Sequence, residues 1–573
     1  MRRIRVSTDN REGGDMNQEE SPTRRPAARR AEHAHAHPEE VEEVREGEPL
    51  ELEIGQHGPS EVESVALREA LLAHPSVRSL LADSEARIVS FRVDDDGRKG
   101  IDPCEPDRFT AAIVDYTNGR TLRTSGSLGA LDPSSPGDLV IEDVADDPLP
   151  SPDEYADAVD VVRHDREIRA AIDSGRVVPY QPMPPLVSTE LPDGRIDRTV
   201  AVALRTETDE RVDHRVLGTN LFSRRLIDID QFQWPDMAVC EPPPASDSCP
   251  STGTTGQVTV AVWQGGQKIW DFIAVRPAAS SGTQGSGVEL RHVRYRGKTV
   301  LYRAHVPILN IQYLAGSGCG PTYRDWQNQE ACFEANGRDI VSGIRLCSTP
   351  ARTILDSGAD TGNFRGVAIY VDGQDVVLVS EMSAGWYRYI SEWRLRSDGT
   401  IRPRFGFAAT DNPCTCNEHI HHVYWRFDFD IRTPWNNMVQ EHNNPPIFGG
   451  SNWHTKAYEV RRPRDPSHDR YWRVSNAGTR EGYDLIPGAN DGVADSYGLG
   501  DVWVLRYHGN ELDDGQGFTT DAAQSIAKLD KFKSPAESVA NSDVVLWYAA
   551  HFRHDLAHES GDWRGPLLRP VNW

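Results

Sequence analysis

From Gln257 onward the chain is written in short alternating runs, and that alternation restricts it to one kind of architecture. Gln257-Val-Thr-Val-Ala-Val-Trp263, Val300-Leu-Tyr-Arg-Ala-His-Val306, Gly366-Val-Ala-Ile-Tyr-Val371 and Val376-Val-Leu-Val-Ser380 are separated by Gly, Asp and Asn turns. Successive side chains of a strand point to opposite faces, so each run has an apolar face that only a second layer can cover. Most of the 14 tryptophans fall in this half. A large antiparallel β-sandwich over residues 241–573 is the expected architecture.

The first half reads differently. Residues 1–55 are rich in Arg, Glu, Pro and Ala without a lasting period and read as a disordered tail, in which the alternating His33, His35 and His37 are an exposed polar tract. Val62 to Leu81 has helical spacing and is followed by strand-like runs at Ala86–Val93 and Phe109–Tyr116. Pro152 to Ile172 and the runs Arg198–Arg205 and His214–Leu221 repeat that plan. Two small α+β domains are therefore expected, over 56–148 and 149–240, with Pro242 to Gly256 as a linker. The net charge of −25 argues against nucleic-acid or anionic-membrane partners. No apolar run is long enough for a membrane span and no secretory signal is visible at Met1, so a cytoplasmic location is expected. Cys319 or Cys332 could close a bridge with Cys347; spacing alone does not choose.

The chemistry concentrates in His419-Ile-His-His-Val-Tyr-Trp-Arg-Phe-Asp-Phe-Asp430. On a strand, His419 and His421 share a face, and two imidazoles form half of a site for copper, zinc, iron or nickel. A lone His-x-His also suits a polar strand edge. Asp428 and Asp430 have the opposite parity, so in an unbulged strand they offer hard oxygen ligands on the other face. Asp543-Val-Val-Leu-Trp-Tyr-Ala-Ala-His551-Phe-Arg-His554 is a later strand that could supply a third imidazole.

In order and spacing these blocks resemble the copper amine oxidases. Val293-Arg-Tyr-Arg-Gly-Lys-Thr-Val-Leu-Tyr-Arg303, Tyr483-Asp-Leu-Ile-Pro-Gly488, Asp501-Val-Trp-Val-Leu-Arg-Tyr507 and Leu567-Leu-Arg-Pro570 extend the likeness, which runs from about residue 60 onward. It implies a mainly β fold with α+β: two small cystatin-like α+β domains ahead of the β-sandwich catalytic domain. It also implies a homodimer, copper held by His419, His421 and His554 with His551 as competitor for the third place, and a calcium-like structural metal at Asp428, Asp430 and Asp543. The family makes topaquinone (TPQ) from a tyrosine in Thr-x-x-Asn-Tyr-Asp/Glu-Tyr. Here the stretch is Ser383-Ala-Gly-Trp386-Tyr387-Arg388-Tyr389, which keeps Tyr387 as precursor and Tyr389 beside it but places an indole and a cation around it. Tyr313 matches the family's conserved tyrosine, and Glu330 is expected as the catalytic base, with Asp325 as the fallback. The implied activity is oxidative deamination of an amine, with O2 reduced to hydrogen peroxide and ammonia released. Two other readings stand beside it: a quinone-free copper oxidoreductase with unmodified Tyr387, and a non-catalytic copper-binding protein on the same fold.

Overall fold

A computed structural model of the chain describes residues 47–573 and the pair Ile4–Arg5, apart from short stretches of which the longest are 191–195, 208–211, 229–241, 314–321, 517–521 and 555–562. His33, His35 and His37, and Cys240, Cys319, Cys414 and Cys416, lie outside the described residues.

Two eleven-stranded sheets pack face to face. The centre of the first is a run of antiparallel neighbours, Glu289–Tyr295, Lys298–Tyr313, His419–Phe429, Val544–His554 and Val502–Arg506. The second is centred on Asp375–Ala384, Tyr387–Arg396 and Ile401–Ala409. Its one parallel pairing among the described residues joins Ile344–Cys347 to Val367–Asp372. Alternation does the sorting. Val423, Trp425, Phe427 and Phe429 of the histidine strand enter the inter-sheet core with Trp393, Phe405 and Tyr548. The odd-numbered partners on the neighbouring strand, Val545 and Trp547, join Tyr424, Trp503 and Leu529 in a second cluster on the outer face. The central strands are thus covered on both sides, which explains their near-continuous apolar runs.

Ahead of the sandwich stand two units of the same plan. The first has helices Glu61–Ala73 and Pro75–Leu80 and a four-stranded sheet; the second has helices Pro152–Val162 and Arg166–Asp173 and a five-stranded sheet. Each leading helix opens with a capping box, Ser60 with Glu63 and Ser151 with Glu154, which satisfies N–H groups that the first turn leaves without partners.

Two expectations change. Leu50–Gln56, read as the end of the tail, is a strand of the first large sheet, paired antiparallel with Gln257–Gln264. Leu50 and Leu52 are fully buried there, so the alternation in Leu50-Glu-Leu-Glu-Ile54 outweighs the composition that surrounds it. The bridge runs between Cys249 and Cys332. Cys347 instead lies among Phe333, Ala335 and Ile354, where burial pushes its thiol up to about 12.

Candidate metal centre and its tyrosines

Strand parity builds the site. His419 and His421 face the inter-sheet space, and His554 sits directly across from His419 in the antiparallel register. The His419 ring lies 4.7 Å from both the His421 and the His554 rings. His551 is three positions from His554 and so faces the outer side, where its Nδ1 lies 2.8 Å from Nδ1 of His422. Of the two candidates for a third imidazole, His554 is the one that joins the pair.

The hydrogen bonds fix which nitrogen is available. His419 Nδ1 lies 2.7 Å from the Asn417 carbonyl, which only accepts, so Nδ1 carries the proton and the Nε2 lone pair points inward. Nε2 of His419 and Nε2 of His421 are 2.9 Å apart. A metal ion bound by both rings would use these two nitrogens. His421 is held by packing: its ring stacks on Phe552 and lies 3.8 Å from Phe407, and its Nδ1 is buried with no hydrogen-bond partner. Burial, and then the charge of neighbouring imidazoles, pushes His419 down to about 3 and His421 well below the usual histidine range. The rings are therefore neutral, as ligands must be, and no proton competes with a metal near neutral pH. Two buried neutral imidazoles, with the half-buried His554 ring beside them, fit copper.

Tyr387 opens the strand that follows a two-residue turn, Gly385-Trp386, in which Gly385 has φ +57° and Trp386 does not cross to positive φ. Glycine first and a positive φ there alone suit a type II′ hairpin. The turn aims Tyr387 at the metal centre: its hydroxyl lies 3.2 Å from His419 Nε2 and 2.7 Å from the Tyr313 hydroxyl. Tyr389, on the same face, stacks on Tyr387 at 5.5 Å and donates to Asp325 Oδ2 at 2.6 Å. Asp325 is wholly buried, and its Oδ1 makes no hydrogen bond. Burial holds its carboxyl well above the usual range, against the pull of the Tyr389 hydroxyl and the Trp326 N–H. Burial likewise raises Tyr313 to about 12, and burial with Tyr313 beside it raises Tyr387 well above the usual phenol range.

Glu330, the expected base, is placed elsewhere. Its carboxylate is gripped by the Arg276 guanidinium, with Nε donating to Oε1 at 2.7 Å and Nη2 to Oε2, and it also accepts the Ala278 N–H. Asp325 is the carboxyl group that reaches the tyrosines. Arg388 also departs from expectation. As a strand neighbour of Tyr387 it faces away from the metal centre, forks onto Asp360 at 2.8 and 2.9 Å, and donates to Ser383 Oγ and to the Gly385 and Tyr387 carbonyls. The cation clamps the turn from behind and leaves the metal-centre side of Tyr387 clear. Removing one partner of a buried pair costs about 3–5 kcal/mol. Arg388→Ala is thus expected to lower unfolding stability by about that amount in a denaturant titration, with Arg388→Lys, which keeps the charge but loses the fork, falling between.

Asp428, Asp430 and Asp543 do come together, with donor atoms within 4.8 Å of one another. The centre of that group is filled by the Lys99 ammonium, 2.6 Å from Asp428 Oδ1, 3.0 Å from Asp430 Oδ1 and 2.7 Å from Asp543 Oδ1. These residues as arranged do not fit a second metal. Neither Lys99 nor Phe407 carries a sequence signal: Lys99 meets its partners across more than 300 positions, and Phe407 reaches His421 from the facing sheet.

Comparison with known proteins agrees with this geometry. Residues 405–563 match the family described as "Copper amine oxidase, enzyme domain". A curated relative, "Amine oxidase [copper-containing] gamma 2" of Arabidopsis thaliana, is 25% identical over 269 residues, 36% of this chain and 39% of that protein. Its gamma 1 counterpart is 25% identical over 235 residues, 31% of this chain and 33% of that protein. The matched region thus spans about two fifths of the relative's length or less. Among solved structures, a copper-containing benzylamine oxidase from Hansenula polymorpha superposes with a TM-score of 0.54 at 12% identity, covering 90% of this chain and 98% of that one. Lysyl oxidase from Pichia pastoris gives 0.51 at 11% identity, with 90% of each chain covered. At such identities the likeness establishes the fold.

Proposed function

Because this chain is a divergent relative of the copper amine oxidases, we propose that it is a copper-dependent amine oxidase that builds topaquinone from Tyr387. A primary amine, dioxygen and water then give an aldehyde, ammonia and hydrogen peroxide. The observation that carries the reading is the Tyr387 hydroxyl, wholly buried, 3.2 Å from a neutral imidazole of a three-histidine cluster. His419, His421 and His554 would hold the copper, which supplies one-electron exchange with dioxygen beside that phenol. The names of the structural neighbours, benzylamine oxidase and lysyl oxidase, favour a primary amine as the substrate class.

The chain's own residues divide the remaining work. Tyr313 shares a proton with the Tyr387 oxygen across 2.7 Å and fixes that end of the ring. Tyr389 lies flat against the ring and orients Asp325 through a 2.6 Å hydrogen bond. Asp325, once ionised, is the group that takes a proton from the carbon next to the substrate nitrogen. The inter-sheet core excludes water from all of them, and Arg388 keeps the Gly385-Trp386 turn in register from behind.

The test is mass spectrometry of the Tyr387 peptide from protein prepared without metal and then given copper and air, with a quinone-specific redox-cycling stain in parallel. A copper-dependent gain of oxygen at Tyr387 with a positive stain is expected. An unmodified Tyr387 in a copper-loaded chain would overturn the quinone route and leave a copper oxidoreductase that uses the plain phenol.

A further inference from the structure

The end of the histidine strand remote from the imidazoles carries a charge arrangement that the proposed oxidase chemistry does not use. Asp428 and Asp430 lie seven and nine residues beyond His421, about 23–30 Å along an extended strand. Asp543 comes from the start of the adjoining strand, and Lys99 comes from the loop after Ala86–Asp94 in the first α+β unit. The Lys99 side chain is only 5% exposed. Its ammonium reaches Asp428 Oδ1, Asp430 Oδ1 and both oxygens of Asp543 at 2.6–3.0 Å. An ammonium has three N–H donors, and here three carboxylates receive them. The Tyr507 ring face lies 3.7 Å from the same nitrogen and the Tyr302 ring 5.0 Å, so π faces cover the remaining directions.

A calcium ion would need six to eight oxygens at about 2.3–2.6 Å around that point. Ammonium and ion exclude one another, because the nitrogen lies within 2.6–3.0 Å of all three carboxylates and the Tyr507 ring face lies 3.7 Å from it. Arg426 adds a second cation, donating to Asp428 Oδ2 at 3.2 Å and to Glu511 at 3.1 Å.

The same stretch of the first unit is tied down at two more points. Asp94 accepts from Arg291 and Arg303, and Asp95 accepts from Tyr302 and lies 2.8 Å from His292 Nε2. All four partners belong to the strand that pairs with the histidine strand on one side and to the next strand beyond it.

We propose that Lys99 is a tethered internal cation that takes the place of a dissociable structural metal, so that docking of the first α+β unit, rather than calcium, closes this end of the catalytic sandwich. The proposal is independent of whether Tyr387 becomes a quinone. The copper-loaded full chain should bind no calcium in equilibrium dialysis, and its melting temperature should not change with added calcium. Lys99→Ala should melt lower, take up one calcium per chain with an affinity of about 10⁻⁴–10⁻³ M, and regain thermal stability as calcium is added. It should also bind terbium with luminescence excited through the adjacent tyrosines. Adding Asp430→Asn to Lys99→Ala should abolish both effects. A wild-type chain that holds one calcium, lost on Asp430→Asn, would overturn the proposal, as would a Lys99→Ala chain as stable as wild type and indifferent to calcium. If Lys99→Ala yields no folded protein, the wild-type dialysis decides: bound calcium lost with Asp430→Asn refutes the proposal, and its absence upholds it.

Discussion

Replacing His421 by leucine should give a chain that folds as well as the parent without metal, and yet retains no copper after dialysis and no oxidase activity. The imidazole sits between Phe407 and Phe552 with no solvent exposure, and its Nδ1 is buried without a hydrogen-bond partner. An orphaned buried polar atom costs about 1–3 kcal/mol, so an apolar side chain of similar size loses one contact to His419 and removes that penalty. In the metal-free chain the two effects should roughly cancel. Copper affinity should move the other way, by more than the 10–100-fold typical of losing an outer-shell partner, because a ligand itself is gone. Copper content by elemental analysis and apo-protein unfolding in denaturant separate the two. A His421→Leu chain that kept stoichiometric copper would remove His421 from the ligand set. The acid side carries the same signature. Folded His419 and His421 are held below the ordinary histidine pKa, so their neutral state contributes stability above the unfolded value near 6.5 that declines as pH falls below it.

Why some of this was legible in the sequence and some not follows from how far each constraint reaches along the chain. Period-two alternation is local, so the sandwich strands and the opposite faces of His421 and Asp428 could be read from Ile420-His-His-Val-Tyr-Trp-Arg-Phe-Asp428 alone. The choice between His551 and His554 was legible in principle by the same rule, since only His554 shares parity with the core residues Ala550 and Phe552. Leu50–Gln56 carried its alternation openly, but lay at the edge of a polar, Pro-rich stretch whose composition dominated the reading. Pairings between distant segments were not legible. Arg276 on Glu330, Asp360 on Arg388 and Lys99 on Asp428 span 54, 28 and 329 positions, and each changes the meaning of a motif residue. A carboxylate at the right spacing is a base only if no guanidinium has claimed it, and three aspartates are a metal site only if no ammonium fills them.

That contrast makes Asp325→Asn the sharpest test of the active-site reading. The substitution is close to isosteric with the protonated carboxyl that burial favours, and an amide oxygen can still accept the Tyr389 hydroxyl, so the fold and the stacking on Tyr387 should persist. Loss of a positioned general base costs about 10²–10⁴-fold, and kcat should fall by that much with KM little changed. Conversion of Tyr387 should proceed, because neither His419 nor Tyr313, the two groups at its hydroxyl, is altered. The pH profile gives the sign. Asp325 must lose its proton to act, and its pKa lies well above the usual carboxylate range, so wild-type kcat/KM should rise with pH along a limb displaced upward from ordinary aspartate; in Asp325→Asn that limb should vanish. Stability runs in the opposite direction: a carboxyl with a raised folded pKa binds its proton more tightly when folded, so its contribution is lost as pH rises, and the asparagine chain should hold its stability where wild type declines. Glu330→Gln should do the reverse, weakening the fold by breaking the Arg276 fork while leaving turnover per folded molecule near wild type. Were Glu330→Gln to abolish turnover in folded protein while Asp325→Asn retained it, the base would be Glu330, and the Arg276 pair would have to open during the reaction.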